Sequence, residues 1–281
     1  MTTPPTPASW PGSRLDQVLT ATRLEGRAAL AAYWPVGYPT LNASLDILRL
    51  LARSADVLEL GIPHTSPVLD GPVIRSAVAQ SLASGYRMDH LLHVIRELSA
   101  STAAALVVMT YWNPVARYGA LRFTDDLAAA GAAAVLLPDI QIEDTEPWLR
   151  AARARGLHSV FLASPHASTS GLARIRSAGS GMVYAPATAG LTGSQGPLDP
   201  QLGQAINRLR AVTSLPVAVG IGVSTPQQAA QVSAVGADAV VVGSALIRRY
   251  QTSPGPAGAA ATSALADQLA QGVRRTLRPA A

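Results

Sequence analysis

The sequence predicts an α/β chain closed into a single (β/α)8 (TIM) barrel, with an extra helix ahead of the first strand. Three observations carry this expectation. Eight short apolar runs alternate with longer amphipathic stretches, the pattern of parallel strands joined by helical crossovers. The length of 281 residues suits one such barrel. No Gly-x-Gly-x-x-Gly turn follows the first apolar run, as an open dinucleotide-binding sheet would require.

Taken in order, residues 1–12 contain four prolines and read as a disordered arm, leaving one domain over 13–281. Residues 13–24 form a short helix suited to cap the bottom of the barrel. The strands are expected at Ala29–Trp34, Val57–Leu60, Ala104–Met109, Ala134–Leu137, Ser159–Leu162, Met182–Ala185, Val217–Gly220 and Ala239–Val242. Helical periodicity falls between them, for example at Leu41–Arg53, Pro72–Ser84, Leu121–Ala130, Asp144–Arg155, Gly171–Ala178, Gln201–Val212 and Pro226–Val235. The stretch Thr252–Ser263, rich in Pro, Gly and Ala, reads as a linker to a last helix at about Ala264–Leu277.

Composition narrows the function. With 48% hydrophobic and only 14% charged residues the chain buries a large core, and at 5% aromatics that core is built from Ala, Val, Leu and Ile. The 22 basic residues are scattered, with pairs only at Arg248–Arg249 and Arg274–Arg275, so no nucleic-acid face is expected. No apolar run reaches the roughly 18–20 residues of a membrane helix. The N-terminus lacks the basic and apolar segments of a secretory signal, which makes the cytoplasm the expected compartment. There is no Cys for a disulfide or thiolate. Every basic residue is Arg; the absence of Lys removes Schiff-base chemistry. The five His are dispersed, and His90 and His93, one helical turn apart, read as a surface pair rather than metal ligands.

In such barrels the chemistry sits at the C-terminal ends of the strands. Strand two ends Leu58-Glu59-Leu60-Gly61, which puts an acid among apolar neighbours at the barrel mouth, where desolvation raises its pKa toward that of a working acid or base. The next loop returns a second acid, Asp70, ahead of Gly71-Pro72; spacing alone leaves open whether it serves the site or caps the following helix. Strands seven and eight end in Gly220-Ile221-Gly222 and Gly243-Ser244, bare backbone suited to cradle a phosphate beside a helix N-terminus. The segment 187–194, rich in Gly and Thr, suits a mobile lid.

These segments, in this order, resemble the tryptophan synthase α-chain family over about residues 25–280. The resemblance is carried by LELGIPHTSPVLDGP at 58–72, VVMTYWNPVARYG at 107–119, AAVLLPDIQIED at 133–144, ATAGLTG at 187–193, VGIGVSTPQQ at 219–228 and VVVGSALIRR at 240–249. It implies a lyase of tryptophan biosynthesis that splits indole-3-glycerol phosphate into indole and glyceraldehyde 3-phosphate without a cofactor. By matched position it implies Glu59 as general acid–base and Asp70 as the carboxylate that accepts from the indole N–H. Tyr33, Val108, Tyr111, Tyr184 and Ile221 fall at pocket positions. Thr192 and Gly193 match the lid, and Gly193, Gly222, Gly243 and Ser244 match the backbone donors to phosphate.

The chain departs from the family in the loop at His64-Thr65-Ser66, where an aromatic residue, Ser and Asp are usual, and at Gln141, where Pro is usual. An Arg is found at Thr188 in some members. The missing acid at Ser66 and the change at Gln141 fall where the resemblance implies contact with a β subunit. The departures therefore leave two readings, an ordinary β-bound chain and a stand-alone or weakly coupled lyase. Two further classes stay open on sequence: another phosphate-binding barrel isomerase or synthase, and a non-catalytic partner that regulates a β-type subunit. His64, close to both acids, reads as a replacement wall residue.

Overall fold

The computed structural model describes residues 12–65, 69–140, 145–164, 167–188 and 196–274. The expected N-terminal arm, apart from Gly12, lies outside them. In chain order the elements are α1 (Arg14–Leu24), β1 (Ala29–Pro35), α2 (Leu41–Leu51), β2 (Val57–Gly61), α3 (Pro72–Ala83), α4 (Met88–Ser101), β3 (Ala105–Met109), α5 (Trp112–Tyr118), α6 (Ala120–Ala130) and β4 (Ala134–Leu136). There follow α7 (Glu146–Ala154), β5 (His158–Leu162), α8 (Thr169–Ala178), β6 (Val183–Pro186), α9 (Leu202–Arg210), β7 (Val217–Gly220), α10 (Pro226–Ala234), β8 (Ala239–Val242), α11 (Ser244–Gln251) and α12 (Pro256–Arg274). No helix among the described residues is long and apolar enough to cross a membrane.

The eight strands close into a barrel in sequence order, all parallel, with β1 pairing both β2 and β8. Such strands are covered on both faces, which is why they read as continuous apolar runs rather than alternating ones. Register then fixes which side chains share the barrel interior: Tyr33 pairs with Glu59, Glu59 with Val107, Met109 with Leu136, and Leu162 with Tyr184. Val107, Val160 and Ala218, of the same parity and wholly buried, make the layer beneath.

Helix α1 closes the lower end, as its position ahead of β1 predicts. Leu15 is wholly buried, Arg14 donates to the carbonyl of Thr102 (2.8 Å) just before β3, and Asp16 meets His158 at the start of β5 (3.1 Å). The acids that precede strands are held here too. Asp56 receives Arg27 through both guanidinium amines (2.7 and 2.9 Å) and the Leu30 N–H (2.8 Å). Asp238 receives Arg210 and the Val217 N–H, each at 2.8 Å.

One expectation is corrected. Residues 252–263 are not a linker: α12 begins at Pro256 and runs unbroken to Arg274. Proline at the first turn of a helix loses no hydrogen bond, and the Ala-rich sequence that follows has the highest intrinsic helix propensity. The break is confined to the short turn at Ser253–Gly255, where Gly255 takes a positive φ of 98° and donates its N–H to the Tyr250 hydroxyl. The expected last helix is present, and it starts eight residues, a little over two turns, earlier than expected.

Candidate active site

A cavity opens at the C-terminal end of the barrel, the usual place for a small-molecule site in this fold. Glu59 and Asp70 stand on its wall, and Gly222, Gly243 and Ser244 on its rim. No basic side chain lines it among the described residues.

Glu59 comes from the middle of β2 and is only 5% exposed. Burial, and then the charge of Asp70, push its pKa up to about 8. Asp70 is 4% exposed and ends the loop that leads to α3. The cap position of that helix belongs to Gly71, and the Asp70 carboxylate faces the cavity. Burial pushes its pKa up to about 6, opposed by a hydrogen bond with Tyr111 and by the charge of Arg75. The two acids thus differ by environment, one protonated and the other ionised near neutral pH.

Two tyrosines complete the wall. Tyr33 pairs with Glu59 across β1 and β2, and its ring lies over Gly61 and Gly243, where any Cβ would collide with it. The Tyr184 hydroxyl lies over Gly220 in the same way. Burial first, and the two carboxylates second, hold both phenols well above their usual pKa, so they stay neutral.

The rim has an unusual backbone. Ile221 takes a φ of +60°, and it is the one non-glycine residue with positive φ among the described residues; Gly222 follows at +110°. Both line the cavity. For a β-branched residue this conformation is costly, and such outliers gather at functional sites. The Thr188 hydroxyl donates to the Ile221 carbonyl (3.2 Å). Across the mouth, Gly243 and Ser244 form the start of α11, whose amides and dipole favour an anion.

Of the residues singled out from sequence, Tyr33, Glu59, Asp70, Tyr184, Ile221, Gly222, Gly243 and Ser244 are brought to this one cavity. Thr192, Gly193, Ser66 and Gln141 lie outside the described residues. Two placements differ. Val108 pairs with Leu60, on the opposite parity to Glu59, and it is Met109 that lines the cavity. Tyr111 does not line it either. It stands behind Asp70, where its hydroxyl accepts the Leu69 N–H (3.2 Å) and its ring meets that of His64 at 5.9 Å. His64 is held below its usual pKa by burial, aided by Arg117 and opposed by Asp139. The apolar wall formed by Met109, Leu136 and Leu162 was missed from sequence. The signal was available: each is the last residue of its strand on the parity set by Glu59. Among the described residues no three His, Asp or Glu side chains gather as metal ligands would.

Comparison with known proteins gives a consistent result. The family model described as tryptophan synthase alpha chain matches residues 19–274. The tryptophan synthase alpha chain of Streptomyces avermitilis is 43% identical over 94% of this chain and 95% of its own. That of Streptomyces coelicolor is also 43% identical, over 92% and 96%. A structure of Mycobacterium tuberculosis tryptophan synthase superposes with a TM-score of 0.86 at 39% identity, covering 93% of this chain and 98% of that one. Tryptophan synthase subunit alpha of Legionella pneumophila gives 0.85 at 31% identity, covering 94% and 99%.

Proposed function

The chain belongs to the tryptophan synthase alpha chain family, and from that premise we propose that it cleaves indole-3-glycerol phosphate to indole and glyceraldehyde 3-phosphate by acid–base catalysis. The observation that carries this reading is the meeting, in one cavity, of two desolvated carboxylates with, among the described residues, no basic partner on its wall, and a rim of bare backbone.

The chemistry follows from the residues. Breaking the bond between the indole ring and its side chain needs a place for the electrons. Protonating ring carbon C3 turns the ring nitrogen iminium-like, so the substrate supplies its own sink. Glu59, neutral because its pKa is about 8, delivers that proton. Asp70, ionised above about 6, accepts the ring N–H and stabilises its growing positive charge. Glu59, now a carboxylate, takes the proton from the hydroxyl on the carbon attached to the ring. As that carbon becomes the aldehyde, the carbon–carbon bond breaks, its electrons restore the C2–C3 double bond of the ring, and the ring nitrogen regains its lone pair. The proton from Glu59 stays on C3 of the indole product and the hydroxyl proton replaces it, so the enzyme ends as it began. Gly222, Gly243 and Ser244 offer amides to the phosphate, and Met109, Leu136 and Leu162 pack the indole.

The test is Glu59→Gln assayed for indole release. A loss of roughly 10²–10⁴-fold or more in kcat is expected for removal of a general acid–base, and a near-neutral result rejects the role. Membership of the family implies a β subunit as partner, while Ser66 and Gln141 depart from the family pattern where that contact is implied. We therefore propose a weakly coupled or stand-alone lyase. Strong activation of indole release by a cognate β subunit, together with a stable complex, defeats that part of the reading.

A further inference from the structure

We propose that Thr188 is a positioning residue of the phosphate rim, fixing the direction in which the Gly222 amide donates. The inference rests on the reading that this rim holds the substrate's phosphate.

The argument runs through one peptide group. The Ile221 carbonyl and the Gly222 N–H belong to the same planar peptide, and that peptide is trans, since the only cis bond among the described residues is Tyr38–Pro39. In a trans peptide the C=O and N–H point in opposite directions. Thr188 follows β6 and its hydroxyl donates to the Ile221 carbonyl at 3.2 Å, so the carbonyl faces the β6 side. The Gly222 N–H then faces away from β6. In the barrel β7 lies between β6 and β8, so the amide is turned toward the β8 side, where Gly243 and Ser244 stand.

The surroundings agree. The turn is held in a backbone conformation that Ile221 adopts only at a cost, with φ at +60°, so something outside it must oppose relaxation. The Ala187 N–H donates to the Gly220 carbonyl (2.5 Å), pairing the end of β6 to the start of the turn, and the Thr188 hydroxyl secures its next peptide. The Thr188 side chain also lies against the Gly222 Cα, so closely that a Cβ there would come within 2.9 Å of the Thr188 Oγ1. Thr188 itself does not line the cavity; it acts through the backbone.

The experiment compares wild type, Thr188→Val, Thr188→Ala and Thr188→Ser. The readouts are the affinity for inorganic phosphate, the affinity for indole, and kcat and KM for indole-3-glycerol phosphate. Loss of one well-aimed amide–phosphate hydrogen bond is expected to weaken phosphate binding and raise KM by about ten-fold in the Val and Ala variants. Indole affinity and kcat stay within about two-fold of wild type, and Ser, which keeps the hydroxyl, restores phosphate binding. The alanine variant guards against a misfit of the valine methyl. Wild-type phosphate affinity in both variants overturns the proposal, as does an equal loss of phosphate and indole affinity. A wild-type enzyme that neither binds phosphate nor cleaves the ester overturns the functional reading itself, a result distinct from either.

Discussion

Replacing Glu59 by Gln is expected to stabilise the fold, by an amount that grows with pH. In the unfolded chain the Glu59 carboxyl ionises near 4.5, whereas in the folded barrel burial and the charge of Asp70 raise that to about 8. Between these values the native state binds more protons at this site than the unfolded state, so native stability falls as pH rises. The penalty is absent below 4.5, climbs by about 1.4 kcal/mol per pH step, and levels off above 8 at roughly 4–5 kcal/mol. Against a total of roughly 5–15 kcal/mol for a folded domain, this is a large fraction. Gln has the shape of the neutral acid and never ionises. Urea unfolding of wild type and Glu59→Gln at pH 4, 7 and 9 is the assay. The difference at pH 4 reports only the exchange of amide for acid and serves as the baseline. Relative to it, the variant gains roughly 3 kcal/mol at pH 7 and roughly 4–5 kcal/mol at pH 9. A difference that stays flat across this range means that Glu59 ionises in the folded protein as it does in water, and the case for a desolvated acid fails.

Two further predictions concern the reaction. The kcat/KM profile is expected to be bell-shaped, falling below about pH 6 as Asp70 takes up a proton and above about pH 8 as Glu59 loses the one it must deliver; rates that climb steadily through pH 9 contradict the assignment of Glu59 as acid. Tyr111→Phe removes a hydrogen bond that favours the Asp70 carboxylate, so the acid limb moves to higher pH by about one pH step and the basic limb stays in place, an effect that a uniform loss at all pH values rules out.

Much of this was legible in sequence because the features are local and strongly contrasted. Strands covered on both faces cannot tolerate polar residues, so the apolar runs place each strand end within about one residue of its observed position. Glu59 stood out for the same reason, as an acid where the pattern allows none. What escaped depends on register or context. The apolar wall of Met109, Leu136 and Leu162 follows from strand parity, which requires knowing that Glu59 pairs with Val107 and Met109 with Leu136; Val108, which the resemblance places at the pocket, has the opposite parity. Tyr111 lies beyond the end of β3, where the two-residue alternation stops and position no longer tells whether a side chain enters the cavity or stands behind it. Residues 252–263 read as a linker because Pro and Gly break helix interiors, but Pro256 stands at the first position of α12, where a missing N–H breaks nothing.

The placement of the acids along the barrel axis gives the strongest physical reason to separate scaffold from site. At the lower end Asp56 and Asp238 each hold an Arg and a strand N–H, and Asp16 meets His158; every one of these carboxylates is spent on the ends of strands. At the upper end Glu59 and Asp70 are more deeply buried, yet among the described residues no Arg joins them on the cavity wall, and burial raises the pKa of both. An ion pair at Glu59 would leave the acid permanently ionised, with no proton to give. The fold therefore carries a cost at its upper end that it avoids at its lower end, and the same desolvation that causes this cost keeps one proton available at neutral pH.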